Sequence, residues 1–531
     1  MNRRLGPELL IKIIKYAIIV GVIAYVAVFL ALAYKRLRYP YELEWMEGGM
    51  VDHIQWILSG RQLYVKPSLD FIPFTYTPFF FYLSAFFARI VGTGFISIRL
   101  VAILSTLGCF GMIFELVRRE TKSIFFGLVS VGLFAATYRI SGSWFDVGRV
   151  DMLFLLLALL SFYVLRFHDS YNSLIISGLL ISLAFLTKQT ALFIGIAMCV
   201  YCLLYLRGWK KIVYPATFAA VLGISTLLLN AVSGGWYTYY IFTLPRAHRI
   251  IDSQILSFWV PGISVLLIAF TISLAYLIYL FFCRDRRDFG FYLFFLASLV
   301  LASWLISIVA GSFLNDFIPA YAAIAICMGM GAHALSSNVV DGVASGTAAA
   351  EDAAGAGASA LVEGRSPTNN GGGTTTRGFV QICFVLLACL LQLTSLYYQP
   401  RADLPTGEDK YAGDSIVQLI RDTKGEVFVP GHGYLTTLAG KKQYAHGIAI
   451  GDVLYAGDEI SRNFQRELDD AVKNKQFGGF IFDAPWDSDF GNEQDARKVY
   501  SEKIDIFPDQ KVFLPVTGFK TRPMVMYRLP D

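Results

Sequence analysis

Long apolar runs dominate the sequence, and short polar segments separate them. A helix that crosses a bilayer needs about 20 consecutive, mostly apolar residues. Runs of this kind lie at 9–34, 98–117, 122–141, 150–167, 172–187, 190–206, 212–232, 258–283, 289–311, 316–335 and 378–398. The pattern predicts an all-α polytopic membrane protein with about 11 transmembrane helices.

The apolar stretch 78–92 is shorter and decides the topology. Cytoplasmic loops are usually rich in Lys and Arg. If 78–92 lies in the membrane interface and the N-terminus is cytoplasmic, the most basic short loops become cytoplasmic. Those loops contain Arg118, Arg119 and Lys122; Arg207, Lys210 and Lys211; and Arg284, Arg286 and Arg287. We therefore predict an interfacial helix at 78–92, although Arg36 and Arg38 then lie outside, against the trend.

The pattern changes near residue 400, where the chain takes on the composition of a soluble domain. Helical periodicity is present at 410–423 and 458–475, and short strand-like runs lie at 426–429, 479–482, 511–515 and 524–528. The prediction is a small C-terminal α/β domain. The predicted units are a transmembrane domain at 1–335, a flexible cytoplasmic linker at 336–377, a last transmembrane helix at 378–398 and an extracytoplasmic domain at 399–531.

Composition supports a membrane protein. Hydrophobic residues make up 55% of the 531 residues, and charged residues only 16%, against about 25% in soluble domains. The net charge of +5 is spread over short clusters at helix ends, which argues against a nucleic-acid partner. We expect an integral protein of the plasma (inner) membrane, in contact with the lipid bilayer.

An acidic segment follows the first apolar run. Residues 42–53 contain Glu44 and Glu47, and Glu47 begins an amphipathic helical pattern. A carboxylate on the apolar side of such a helix has restricted solvation, which suits a general base. The alternative is helix capping, because an acidic first turn is favoured by the helix dipole.

A second cluster contains Asp146, Arg149 and Asp151, at the outer junction of two predicted spans. Ionisable groups at such a junction are costly and usually paired or functional. The alternative is a local ion pair between Asp146 and Arg149, which are three residues apart.

Several cations lie at predicted outer turns. Lys188 lies between two spans, and Arg246, His248 and Arg249 lie in the loop 233–257. A basic trio outside runs against the positive-inside trend, so it indicates a bound anion such as a lipid phosphate. Lys188 could instead be an interfacial residue whose amine extends to the headgroups. The turn with Asn315 and Asp316 is polar, and substrate contact is an alternative role for it.

The order of these features resembles that of the GT-C membrane glycosyltransferases. The residues that carry the resemblance are Glu47-Gly48, Leu58-Ser59-Gly60, Leu63-Tyr64, Tyr76-Thr77-Pro78, Tyr82-Leu83, Arg99-Leu100, 144–153 and Leu186-Thr187-Lys188-Gln189. The similarity covers about residues 10–335 and is greatest to the branch of protein O-mannosyltransferases and the bacterial lipid A aminoarabinose transferase.

The resemblance implies a GT-C catalytic domain at 1–335 that transfers a sugar from a polyprenyl phosphate to an acceptor hydroxyl with inversion. Where that family has Asp-Glu before a glycine, this chain has Met46-Glu47, so Glu47 or Glu44 is the candidate base.

The resemblance also implies roles for the other candidates. Asp146, Arg149 and Asp151 would position the acceptor or the base, and Lys188, Arg246, His248 and Arg249 would bind the lipid phosphate. No metal ligands are predicted, although some branches use a divalent metal. The acceptor could be a protein, a lipid or a glycan. The alternatives are a secondary transporter, for which the expected internal repeat is not evident, and a non-catalytic scaffold.

Overall fold

The computed structural model describes residues 7–355, 376–491 and 493–530, most of which are helical. The helices up to the C-terminal domain are α1 Pro7–Leu37, α2 Glu47–Leu58, α3 Phe79–Val91, α4 Phe95–Thr121, α5 Ile124–Ala136, α6 Asp151–Phe167, α7 Tyr171–Phe185, α8 Ala191–Tyr205, α9 Lys210–Val232, α10 Trp236–Thr238, α11 Leu244–Ala247, α12 Asp252–Ser257, α13 Leu267–Cys283, α14 Arg286–Ser307, α15 Ile318–Gly355 and α16 Thr376–Ser395. Segments Tyr239–Thr243 and Phe258–Ile263 are π-helical, and Ser264–Leu266 and Leu314–Phe317 are 3₁₀-helical.

Seven of the described helical segments are long and apolar enough to cross a membrane. They are Glu8–Leu37, Phe95–Thr121, Lys210–Val232, Asp252–Cys283, Arg286–Ser307, Leu314–Ser337 and Gly378–Ser395. Each coincides with a predicted span, which confirms an integral membrane protein of mainly α structure.

The other four predicted spans form shorter helices. Predicted spans 122–141, 150–167, 172–187 and 190–206 correspond to α5, α6, α7 and α8, which have 13, 17, 15 and 15 residues. The predicted runs were too long because apolar residues continue into the adjoining turns. Helix α3, predicted to lie in the interface, has 13 residues. At 1.5 Å per residue it covers about 20 Å, less than the hydrocarbon core.

Helix α15 lies at the centre of the bundle. In the most apolar 18-residue window of Leu314–Ser337, which leads into α15, 89% is buried, whereas the corresponding share for Lys210–Val232 is only 11%. Small residues allow this close packing. A Cβ added at Gly329 would lie 1.9 Å from Ser130 Oγ, and one at Gly331 would lie 2.6 Å from the Ile272 carbonyl oxygen. Helices α5 and α13 therefore pack directly on α15.

Arg36, whose position ran against the charge trend, is fully buried at the end of α1. Its guanidinium forms an ion pair with Asp146 at 3.1 Å and donates to the Ser143 carbonyl oxygen. The predicted alternative of a local pair between Asp146 and Arg149 is therefore wrong. A long-range partner satisfies Asp146, and Arg36 is an internal charge rather than a topology signal.

The C-terminal domain has a four-stranded sheet with helices packed on it. The strands are β1 Val427–Phe428, β2 Gly479–Phe482, β3 Glu502–Asp505 and β4 Val525–Arg528, in the order β1-β2-β4-β3. Strands β1 and β2 are parallel, and the other two pairs are antiparallel, with Phe480 opposite Tyr527 and Ile504 opposite Met526. The helices are α17 Gly407–Asp422, α18 Tyr434–Leu438, α19 Gly447–Tyr455, α20 Glu459–Lys473 and α21 Glu493–Val499, and the 3₁₀ turns are Pro400–Asp403, Pro430–His432 and Ser488–Phe490.

The predicted elements of this domain are confirmed, with one exception. The segment 511–515 is not a strand, because Phe513 has φ 59° and its amide donates to Asp409 Oδ1 at 2.7 Å. The third strand is instead 502–505, where exposed and half-buried residues alternate. Of the predicted linker 336–377, residues 336–355 continue α15, and 356–375 lie outside the described residues. The linker thus stays a prediction.

Candidate active site

A cavity of about 620 Å³ lies where the helix ends meet the C-terminal domain. Its wall includes the loops before α2, α3 and α6, the turn between α7 and α8, and part of segment 306–316. The C-terminal domain contributes Ile448, Asp452, Gly518 and Phe519. A concave, mostly apolar site with a few polar groups is the usual form of a ligand site.

Glu44 lies on the wall of this cavity and is paired with Arg149. Arg149 Nη1 donates to Glu44 Oε2 at 2.6 Å, and the other oxygen, Oε1, is buried without a hydrogen bond of ordinary geometry. Burial raises the pKa of Glu44 to about 7, although Arg149 and the nearby Met46 amide lower it. A carboxylate with a pKa near the working pH is suited to accept a proton.

Glu47, the other candidate base, does not line the cavity. Arg99 binds it with two hydrogen bonds, from Nε to Oε1 at 2.9 Å and from Nη2 to Oε2 at 2.7 Å. The amides of Leu43 and Gly148 also donate to it, at 2.9 and 2.8 Å. All of its strong acceptor positions are therefore used inside the protein, and its role in this arrangement is to anchor the loops that surround the cavity.

We expect Arg99→Met to destabilise the fold by about 3–5 kcal/mol, because it leaves the Glu47 charge buried without its cation. The matched control is Arg118→Met. Arg118 pairs with Glu115, but both side chains are partly exposed, and such pairs contribute about 0–1 kcal/mol. Thermal unfolding in detergent compares the two variants. Equal midpoints would contradict the anchoring role.

Arg149 connects Glu44 to two aromatic side chains. Its Nη2 donates to the Tyr76 hydroxyl at 2.5 Å, and its guanidinium lies 5.5 Å from the Trp144 ring centroid. Glu44, Tyr76, Trp144 and Arg149 all line the cavity. A cation held in this way can fix the Glu44 carboxylate and still present a donor to an anionic ligand.

Lys188 lines the same cavity and is held there by two carboxylates. Its amine donates to Asp151 at 2.7 Å and to Asp316 at 3.0 Å. Burial alone would lower the pKa of Lys188, but the two carboxylate charges outweigh it and raise the pKa above its ordinary value. The lysine is therefore a fixed cation in the site. Its side chain is 12% exposed, which does not fit an amine that extends to lipid headgroups.

Asp151 accepts hydrogen bonds from two further side chains. Trp144 Nε1 donates to Asp151 Oδ2 at 2.8 Å, and Asn315 Nδ2 donates to Asp151 Oδ1 at 3.1 Å. The outer turn predicted to be polar, with Asn315 and Asp316, thus packs against the site. In the described residues, no group of three or more His, Cys, Asp or Glu side chains could hold a metal ion.

The basic trio of the loop 233–257 divides in two. His248 lines the cavity, and its Nε2 lies 3.0 Å from Asp452 Oδ1 of the C-terminal domain. A hydrogen bond with Asp452 raises the pKa of His248 above its ordinary value. Arg246 and Arg249 are exposed and do not line the cavity, and Arg249 lies over the Tyr455 ring at 5.7 Å.

Of the predicted site residues, the structure therefore brings Glu44, Arg149, Lys188 and His248 to one cavity. Asp151 does not line the cavity but forms an ion pair with Lys188, whereas Asp146 forms an ion pair with Arg36. The sequence analysis missed Asp452, Gly518 and Phe519. No local pattern marks them, because they reach the site only through the docking of the C-terminal domain.

Comparisons with known proteins give a family match and a shared fold. Residues 75–233 match the family described as Dolichyl-phosphate-mannose-protein mannosyltransferase. A search of curated protein sequences finds no match.

Solved structures share the fold. ArnT from Cupriavidus metallidurans bound to undecaprenyl phosphate is similar with a TM-score of 0.55 at 14% identity, over 87% of this chain and 92% of that one. An oligosaccharyltransferase from Archaeoglobus fulgidus, tethered to an acceptor peptide, is similar with a TM-score of 0.50 at 13% identity, over 90% of this chain and 72% of that one. The family match and the shared fold confirm the resemblance of this chain to the GT-C membrane glycosyltransferases.

Proposed function

We propose that this protein is an inverting glycosyltransferase that moves a sugar from a polyprenyl-phosphate donor to an acceptor hydroxyl. The reaction takes place at the extracytoplasmic face of the plasma (inner) membrane, with the N-terminus in the cytoplasm and the C-terminal domain outside. The family match at 75–233 and the fold shared with ArnT support the reaction class.

The observation that carries the proposal is one cavity that holds a base and several cations. Glu44 has a pKa near 7, and Arg149, Lys188 and His248 line the same wall. A base and an anion site side by side are the two requirements for transferring a sugar from a phosphate to a hydroxyl. The charged groups Glu44, Arg149, Lys188 and His248 lie in loops and turns outside the helices, unlike the mid-membrane site of a transporter.

The chemistry follows from these groups. Glu44 accepts the proton of the acceptor hydroxyl, and the hydroxyl oxygen forms a bond to the anomeric carbon of the sugar. The bond between that carbon and the phosphate oxygen breaks, and the polyprenyl phosphate leaves with the bonding electrons. Lys188 and His248 offset the charge on the leaving phosphate. Arg149 orients the Glu44 carboxylate through its 2.6 Å hydrogen bond.

A panel of radiolabelled polyprenyl-phosphate sugars, offered to the purified protein with membrane extract, tests the proposal. We expect one donor to be consumed, with its label transferred to the extract or released. If no donor is consumed and none raises the thermal midpoint of the protein, the lipid-linked donor is excluded and transport becomes the leading explanation.

The pH profile tests Glu44 separately. A general base acts in its deprotonated form, so kcat/KM should rise with pH and level off above the Glu44 pKa of about 7. An exposed glutamate would place this rise at a pH of about 4.3. The rate of polyprenyl phosphate release between pH 5 and 9 gives the profile, and a rate already constant above pH 5 would contradict the raised pKa.

A further inference from the structure

The C-terminal domain contacts the acidic loop, residues 41–48, along most of its length. Tyr41 donates to Asp414 at 2.5 Å, and Glu42 Oε2 lies 2.5 Å from His432 Nδ1. These contacts join residues 373 and 390 positions apart in sequence. The loop that carries the candidate base is therefore packed against the C-terminal domain.

The contacts at Glu44 come from the segment 517–519. The Thr517 amide donates to the Leu43 carbonyl oxygen at 3.0 Å, and Glu44 pairs with Thr517 in a parallel bridge. Trp45 and Phe519 pack edge to face with ring centroids 5.4 Å apart. One segment of the C-terminal domain thus holds the backbone before Glu44, at Leu43, and the side chain after it, the ring of Trp45.

Gly518 makes the closest approach. It has φ +72°, and a Cβ there would lie 2.9 Å from both Glu44 Cγ and Trp45 Cδ1, and 3.1 Å from Glu44 Oε1. Only glycine adopts this backbone conformation without strain and leaves this space free. The Glu44 carboxylate is therefore confined between Arg149 on one side and the Gly518 backbone on the other.

We propose that segment 517–519 of the C-terminal domain is a positioning element of the active site, which holds Glu44 where it acts as the base. The inference rests on the proposed function for the role of Glu44. It assigns to the C-terminal domain a direct part in the reaction, since its Gly518 and Phe519 also line the cavity. A misplacement of about 1 Å can cost about 10²-fold in rate, so a small change at this contact has a measurable effect.

Gly518→Ala in the full-length protein tests the proposal, with Gly440→Ala as the matched control. Gly440 is in the same domain and has φ +79°, but nothing lies within 4 Å of an added Cβ. Both variants thus carry the same kind of backbone strain, and only one displaces Glu44. We expect Gly518→Ala to lower kcat by about 10²-fold with KM for the donor unchanged, and Gly440→Ala to match the wild type.

Two further readouts separate positioning from general damage. The acid limb of the pH profile should move to lower pH in Gly518→Ala only, because a displaced carboxylate is less desolvated. Amide hydrogen exchange over residues 41–48 should be faster in Gly518→Ala than in Gly440→Ala. Equal kcat, pH profile and exchange in the two variants would overturn the proposal.

The outcomes also distinguish this proposal from the proposed function. If the wild type consumes no donor, the proposed function fails, and the positioning of a base fails with it. Hydrogen exchange then still decides whether segment 517–519 holds the acidic loop. If the wild type is active but Gly518→Ala behaves like Gly440→Ala, the proposed function stands and the inference is wrong.

Discussion

Glu44→Gln is expected to lower sugar transfer by about 10²–10⁴-fold, the usual contribution of a general base. The amide keeps the shape of the side chain but cannot accept the acceptor proton. The fold should tolerate this change better than Glu47→Gln, because a carboxyl with a pKa of about 7 is already about half neutral at pH 7. The rate of polyprenyl phosphate release measures the effect on transfer, and thermal unfolding measures the effect on stability.

Glu47→Gln is the matched comparison for this prediction. Arg99 is fully buried and would lose the charge of its carboxylate partner, so this variant should lose stability rather than chemistry alone. The two glutamates are three residues apart in sequence, but we expect opposite phenotypes. A Glu44→Gln protein with wild-type turnover would exclude Glu44 as the base.

Lys188→Met is expected to have the second-largest effect. It removes the cation between Asp151 and Asp316, so two buried carboxylates lose their partner. We expect a loss of about 3–5 kcal/mol in stability. A further fall of about 10²–10³-fold in kcat is expected from the loss of a group that stabilises the leaving phosphate. Thermal unfolding and single-turnover kinetics measure the two separately.

A second substitution distinguishes structure from chemistry at this position. The double variant Lys188→Met with Asp316→Asn removes one of the two carboxylate charges that lose their cation. The other carboxylate, Asp151, keeps its hydrogen bonds from Trp144 and Asn315. Stability should recover in part, and turnover should stay low. If turnover recovers together with stability, Lys188 acts only by neutralising its neighbours.

The helical part of the fold could be predicted from the sequence because burial in lipid imposes long apolar runs. The ends of helices could not be predicted as well. Helix α5 stops at Ala136, although the predicted span continues to 141, and the turn that follows is held by Arg36, which pairs with Asp146 and donates to the Ser143 carbonyl oxygen. In the C-terminal domain, 511–515 had the composition of a strand, but the Asp409 carboxylate binds the Phe513 amide in place of a neighbouring strand.

The candidate site could be predicted only in part. Ionisable residues at helix ends are informative, and four of them meet at the cavity. Their partners are not visible in sequence, because Glu47 meets Arg99 and Glu44 meets Arg149 only after the helices have packed. The sequence therefore identified both glutamates and left the choice between them open. The contribution of Gly518 depends on domain docking and has no local signal.

The anomeric configuration of the transferred sugar is the most direct test of the central claim, that the acceptor oxygen displaces the lipid phosphate in a single step. With a donor of known configuration, the product of the purified protein is analysed by NMR. The account predicts a product of inverted configuration, because the acceptor oxygen attacks opposite the leaving phosphate. A product of retained configuration would contradict it, because a single displacement from the face opposite the leaving group always inverts the anomeric carbon.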